Sequence, residues 1–222
     1  MIDAHSWWRM GNKTYSPETI LNLANAMAEF HPTWLEEPLP PENHEAYSKL
    51  KEKAQFPIAT GEHEPNEEGF MDLFDKRCTD FIQMDVCCQG GFAMAKRIFE
   101  KVKEYELRFA FHSWGTNLEV LAAAHLGVCW EEDVVEWLEF PCYSSANSPG
   151  MYPFAAATEI LKDPLEIEEG YLIMPDGPGL GITIDERIVE KYPFIQGPWS
   201  YFKIDNPPET VAVTGDHSVK WI

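Results

Sequence analysis

Short apolar runs alternate with longer stretches of helical period along most of the chain. "MIDAH", "TWLEE", "FPIAT", "DFIQMD", "RFAFH" and "DVVEWLE" read as buried strands. Between the first two, "ETILNLANAMAEF" repeats apolar residues at helical spacing through Ile20, Leu21, Ala24, Met27 and Phe30. Ser16 and Pro17 before it form an N-cap and first-turn pair. "ENHEAYSKLKEKA", "PNEEGFMDLFDKR", "FAMAKRIFEKVKEY" and "NLEVLAAAHLGV" read as further helices, with Phe92, Ala95, Ile98, Phe99 and Val102 on one face of the third. Strands and helices in alternation predict a parallel sheet. The unit recurs roughly every 25 residues, the scale of a βα unit in an eight-stranded barrel. No helix pattern repeats as it would in a solenoid. The expected fold is α/β, a partial barrel of about six βα units.

The character changes at Pro141. Residues 1–140 carry the partial barrel, and residues 141–222 are expected to complete it and pack on it. In that second segment "LEIEEGYLIMPDGPGLGITID" reads as two short strands around a Pro-Gly loop, and "DERIVEKY" as a short helix. Trp199, Tyr201, Phe202 and Trp221 of the tail are expected to lie on the body.

Composition narrows the function classes. With 45% hydrophobic and 13% aromatic residues in 222, this is a folding chain rather than a disordered one. A formal net charge of −20 argues against nucleic acid and against anionic membrane surfaces as partners. No apolar run is long enough for a transmembrane helix, and the first residues lack the charge and apolar pattern of a signal peptide. Cys78, Cys87, Cys88, Cys129 and Cys142 are odd in number and form no C-x-x-C. They are expected to be reduced thiols of a cytoplasmic protein, not a zinc site.

Most of the acidity reads as solvated surface, but one set of acids does not. Each of the six strands ends in an acid or a histidine: Asp3 with His5, Glu36-Glu37, Glu62 with His63, Asp85, His112 and Glu139. From Asp3 the steps are 33, 26, 23, 27 and 27 residues. Asp3 and His5, two apart on a strand, point to one side. Carboxylates at the ends of buried strands are costly unless paired or bound to a cation. In a parallel barrel those ends converge on the face where active sites sit. Three hard oxygen ligands suit Mg²⁺, and a remaining Asp-His pair suits proton transfer. Singly each residue has a plainer explanation: a helix cap for an Asp, a satisfied core ring for His112, a backbone contact for Glu37. Six in series at one period do not.

The ordered series "DAH", "WLEEP", "ATGEHE", "DFIQMDVCCQGG", "FAFHSWG", "EWLEF" and "DGPGLGI" resembles the enolase superfamily, mandelate racemase subgroup, over about residues 1–195. The resemblance implies Asp3, Glu36 and Glu62 as Mg²⁺ ligands, with Glu36 a better match than Glu37. It implies Asp85 and His112 as a dyad with His112 the base, and Glu139 as hydrogen-bonding partner of the substrate carboxylate or enediolate. The "D-x-H" opening is similar to galactonate and mannonate dehydratases, which makes His5 the acid for a departing 3-hydroxyl. "TGEHE" is similar to the rhamnonate dehydratase group and makes His63 a substrate contact, the alternative being a ring turned into the helix layer.

The implied activity is Mg-dependent dehydration of a small-molecule sugar acid to a 2-keto-3-deoxy acid. A racemase, epimerase or cycloisomerase of the same superfamily is the alternative, as is a truncated chain without activity. The family's N-terminal cap and first two strands, including its Lys-x-Lys motif, have no counterpart, so the chain reads as starting at a third barrel strand. A homo-oligomer or a complementing N-terminal chain is therefore expected. No lysine matches a second base, so a two-base racemase is not supported.

Overall fold

The structure, a computed structural model, describes residues 1–6, 15–140 and 155–193. Cys142 and the four tail aromatics lie outside the described residues. Six strands pair in parallel and in chain order: β1 (Ile2–Asp3), β2 (Leu35–Glu36), β3 (Ile58–Thr60), β4 (Phe81–Met84), β5 (Arg108–Phe111) and β6 (Val135–Leu138). Helices α1 (Pro17–Met27), α2 (His44–Lys53), α3 (Glu67–Asp75), α4 (Gly91–Glu104) and α5 (Asn117–Gly127) make the crossovers. This is the expected partial (β/α)8 barrel.

Local chemistry sets the boundaries. The Ser16 hydroxyl accepts from the Thr19 N–H with Pro17 in the first turn of α1. Asn43, Asn66 and Thr116 cap α2, α3 and α5 in the same way. Strand side chains alternate between two faces. Leu35, Ile58, Ile82, Met84, Phe109 and Phe111 join Leu50, Phe70, Ile98 and other helix residues in one core. Each such side chain contributes about 1.5–3 kcal/mol by leaving water.

The alternate positions Trp34, Ala59, Phe81 and Ala110 form a second, smaller cluster. Trp34 packs on Phe81 at 5.0 Å with the rings tilted by 47° and meets Trp137 of β6 edge-on at 6.2 Å. Since β2 and β6 are separated by three strands in the sheet, that contact requires the sheet to curl. The cluster is the floor beneath the strand ends.

Three expectations are corrected. Phe30 is 75% exposed, because the end of α1 tightens into a 3₁₀ turn over Ala28–Phe30 and leaves the apolar stripe. Phe92 is 48% exposed, because it sits in the opening turn of α4, ahead of the buried face that begins at Met94. The hairpin strands β7 (Ile167–Glu168) and β8 (Tyr171–Leu172) turn at Glu169-Gly170, not around the Pro-Gly loop, which follows β8. Both turn residues have positive φ, 51° and 87°, as a two-residue hairpin turn demands. Ile184, beyond the loop, bridges Leu161 instead. Helices α6 (Ala155–Glu159) and α7 (Ile188–Lys191) complete the described chain, α7 inside the expected segment. No described helix is long and apolar enough to cross a membrane, and the four described cysteines are free.

Candidate active site

The floor cluster continues upward as a polar layer. Glu36 lies two residues beyond Trp34 and accepts from the Trp34 indole N–H at 2.9 Å. Gln83, Asp85, His112 and Glu139 occupy the equivalent positions at the ends of β4, β5 and β6. The backbone helps aim them. His5, just after β1, and Glu37, just after β2, hold positive φ of 35° and 42° without being glycine. Non-glycine residues in that region are costly and tend to mark functional sites. Gly61, directly before Glu62, has φ 134°, and a β-carbon there would stand 2.5 Å from the Gln83 carbonyl oxygen.

Glu62 is the centre. His5 Nε2 donates to its Oε1 at 2.9 Å, and His63 Nδ1 lies 3.2 Å from the same oxygen. His112 Nε2 is 3.0 Å from its Oε2. Each of the two main imidazoles has a second acid behind it. His5 Nδ1 donates to Asp3 at 2.5 Å, and His112 Nδ1 to Asp85 Oδ2 at 3.1 Å. Asp85 Oδ1 accepts from the Cys87 and Cys88 N–H groups. Glu139 accepts from the Ser113 N–H at 2.9 Å and from Gln83 at 3.4 Å.

Proton affinities follow from this packing. Burial disfavours a charged His112, but Asp85 and Glu62 outweigh it and raise the ring to about 11. Burial likewise opposes His5, and Asp3 and Glu62 raise it to about 10. Burial pushes Glu62 up, yet His112 and His5 together hold it far below the usual carboxylate range. Glu139 goes the other way: burial, then the charge of Glu36, lift it to about 8. Burial also raises Glu36, against the hydrogen bonds from Trp34 and Gln83, and Asp3 and Glu62 add to the rise. Asp85 is lowered: burial is outweighed by His112 and the Cys88 N–H.

The eight expected site residues thus meet at one end of the sheet. His63 turns to this site and lies edge-on to His5 at 5.4 Å. Glu37 bonds to Thr60 and the Gly61 N–H, a support role. One expected grouping is not drawn together. Among the described residues, ligand atoms close to within 4.8 Å in His5-Glu62-His63 and in Asp85-His112-Glu119, whereas Asp3, Glu36 and Glu62 do not close into such a group. Three like charges repel, and Asp3 and Glu62 face imidazoles instead. The donor chemistry still fits a hard cation: three carboxylates, one of them the buried Glu62, whose Oε2 meets only His112 Nε2 at 3.0 Å and outside good hydrogen-bond geometry.

The sequence matches the enolase C-terminal domain-like family over residues 1–188. The chain belongs to that family. A D-galactarolactone cycloisomerase of Agrobacterium fabrum is 29% identical over 192 residues, covering 86% of this chain and 48% of that protein. A D-galactonate dehydratase family member of Salmonella virchow is 30% identical over 203 residues, covering 89% and 45%. The chain therefore spans about half the length of these curated relatives. Among solved structures, an enolase from Agrobacterium radiobacter with bound Na and L-malate superposes with a TM-score of 0.74 at 28% identity, covering 89% of this chain and 49% of that one.

Within this enolase-type domain three residues escaped the sequence reading. Gln83 and Trp34 lie two positions from Asp85 and Glu36, so the strand alternation that linked Asp3 to His5 would have found them. Glu119 was hidden inside a helix. "TNLE" reads as a capping box, yet the Glu119 carboxylate reaches the Trp114 N–H and the neighbourhood of Asp85.

Proposed function

We propose that this chain carries the proton-transfer apparatus of an acid-sugar dehydratase. The observation that supports it best is the pair of imidazoles on either side of Glu62, each backed by its own carboxylate. One can serve as base and the other as acid. With Glu62 given over to a cation, His112 would lose one of the two charges that hold its proton, and its freed Nε2 takes the proton α to the substrate carboxylate while Asp85 holds Nδ1–H and fixes the ring's tautomer. His5, kept protonated by Asp3, gives its proton to the departing 3-hydroxyl, which leaves as water. The enol left behind tautomerises to a 2-keto-3-deoxy acid. Glu139, neutral at ordinary pH, donates a hydrogen bond to the substrate oxygens as charge builds there. Asp3, Glu36 and Glu62 would hold Mg²⁺, which supplies positive charge beside a carboxylate losing its α-proton.

The test is turnover by the full-length polypeptide with Mg²⁺ across a panel of aldonic and aldaric acids, with semicarbazide detection of the keto acid. Absence of product across the panel overturns the reading. The likeness to a cycloisomerase favours a second reading in which His112 keeps its role and His5 does not act as acid. Exchange of the α-proton with deuterium oxide, without loss of water, would select it.

A further inference from the structure

Glu119 is buried at the start of α5 and takes no part in the chemistry above. Its Oε1 accepts from the Trp114 N–H at 2.7 Å, which pins the side chain toward the strand ends. Its carboxyl group, that of Asp85 and the His112 ring bring ligand atoms within 4.8 Å of one another. Two ionised carboxylates at that range have only acceptors to offer each other and repel. One shared proton converts the repulsion into a hydrogen bond. Asp85 already accepts from two backbone N–H groups and from His112, so the anion belongs on Asp85. The proton belongs on Glu119.

We propose that Glu119 is a positioning residue: as a neutral acid it donates to Asp85 and fixes the carboxylate that orients His112. The role of His112 here rests on the dehydratase reading above. Burial and the neighbouring Asp85 charge lift Glu119 to about 7, in keeping with a retained proton. Gly115 supplies a second sign that the place is shaped for this acid. A β-carbon on Gly115 would fall 1.6 Å from Glu119 Oε2, so any side chain there would displace the carboxyl group.

The test uses two readouts. In infrared difference spectra of the chain at mildly acidic pH, Glu119→Gln removes one protonated-carboxyl C=O band. Loss of an ionised carboxylate band instead overturns the proposal. In turnover, glutamine keeps both the acceptor for Trp114 and a donor for Asp85, so Glu119→Gln retains kcat/KM within about threefold. Glu119→Leu and Gly115→Ala each lower kcat about tenfold or more with KM little changed. Gly115→Ala moves the acid without deleting it, so it carries the test should the leucine variant fail to fold. Wild-type kcat in Gly115→Ala, or in a folded Glu119→Leu, overturns the proposal. If the parent protein turns over no acid sugar, the dehydratase reading fails while the infrared band still decides the state of Glu119.

Discussion

At Gly61 a single missing side chain keeps β3 against β4. Its φ of 134° suits glycine alone, and the Gln83 carbonyl oxygen fills the space a β-carbon would need. Gly61→Ala is expected to cost about 1–3 kcal/mol in urea unfolding. It should also loosen Glu62, the next residue. His112→Asn is expected to lower stability in urea unfolding, because Asp85 and Glu62 lose the charge they face, and to cut the proposed dehydration by about 10²–10⁴, measured as kcat on the folded variant.

A third residue, His44, has a stabilising role away from the strand ends. Its Nδ1 donates to Asp72 at 2.5 Å and its Nε2 to Glu64 at 2.9 Å, tying α2 to α3 and to the loop after β3. Burial opposes its charge, but Asp72 and Glu64 raise its pKa, while Lys76 and then His44 lower that of Asp72. A raised histidine contributes stability below its unfolded value of about 6.5, lost as pH climbs through the folded value. A lowered aspartate contributes above about 3.9, lost as pH falls through its folded value. The melting-temperature gap between parent and His44→Asn should therefore be widest between about pH 4 and 6.5 and shrink in alkali.

At the scale of elements, the βα alternation was legible because buried parallel strands read as unbroken apolar runs. Their polar ends stood out against those runs, which is why Asp3, Glu36, Glu62, Asp85, His112 and Glu139 could be picked from spacing. What failed had no periodicity to carry it. The β7–β8 turn depends on two left-handed φ values at Glu169 and Gly170, and the conspicuous Pro-Gly loop nearby drew the eye. Glu119 was concealed because a capping box looks the same in sequence whether its acid faces its own helix or another strand. Strand β2 offers a direct test of layering. Trp34→Phe keeps an aromatic ring on Phe81 but removes the N–H that Glu36 accepts. A buried acceptor losing its partner costs about 1–3 kcal/mol, to be read from urea unfolding.

Across the whole molecule the charge of −20 sets up general repulsion, part of it concentrated where Asp3, Glu36 and Glu62 stand near the strand ends. Sodium chloride should raise the melting temperature modestly by screening. By the proposed ligand set, magnesium chloride at matched ionic strength should raise it further, the added unfolding free energy reaching about 2.7 kcal/mol when the free ion exceeds its Kd a hundredfold. Glu62→Gln should abolish that excess and leave the sodium effect intact.

The contact between Trp34 and Trp137 has an optical consequence. Two indoles at 76° and 6.2 Å are close enough for their excited states to couple. Their near-ultraviolet circular dichroism should contain a paired positive and negative band belonging to neither ring alone. Replacing either tryptophan by phenylalanine should erase it. Because one ring precedes β2 and the other lies on β6, with three strands between them in the order of pairing, the couplet gauges curvature: a flattened sheet would lose it before its secondary structure melted.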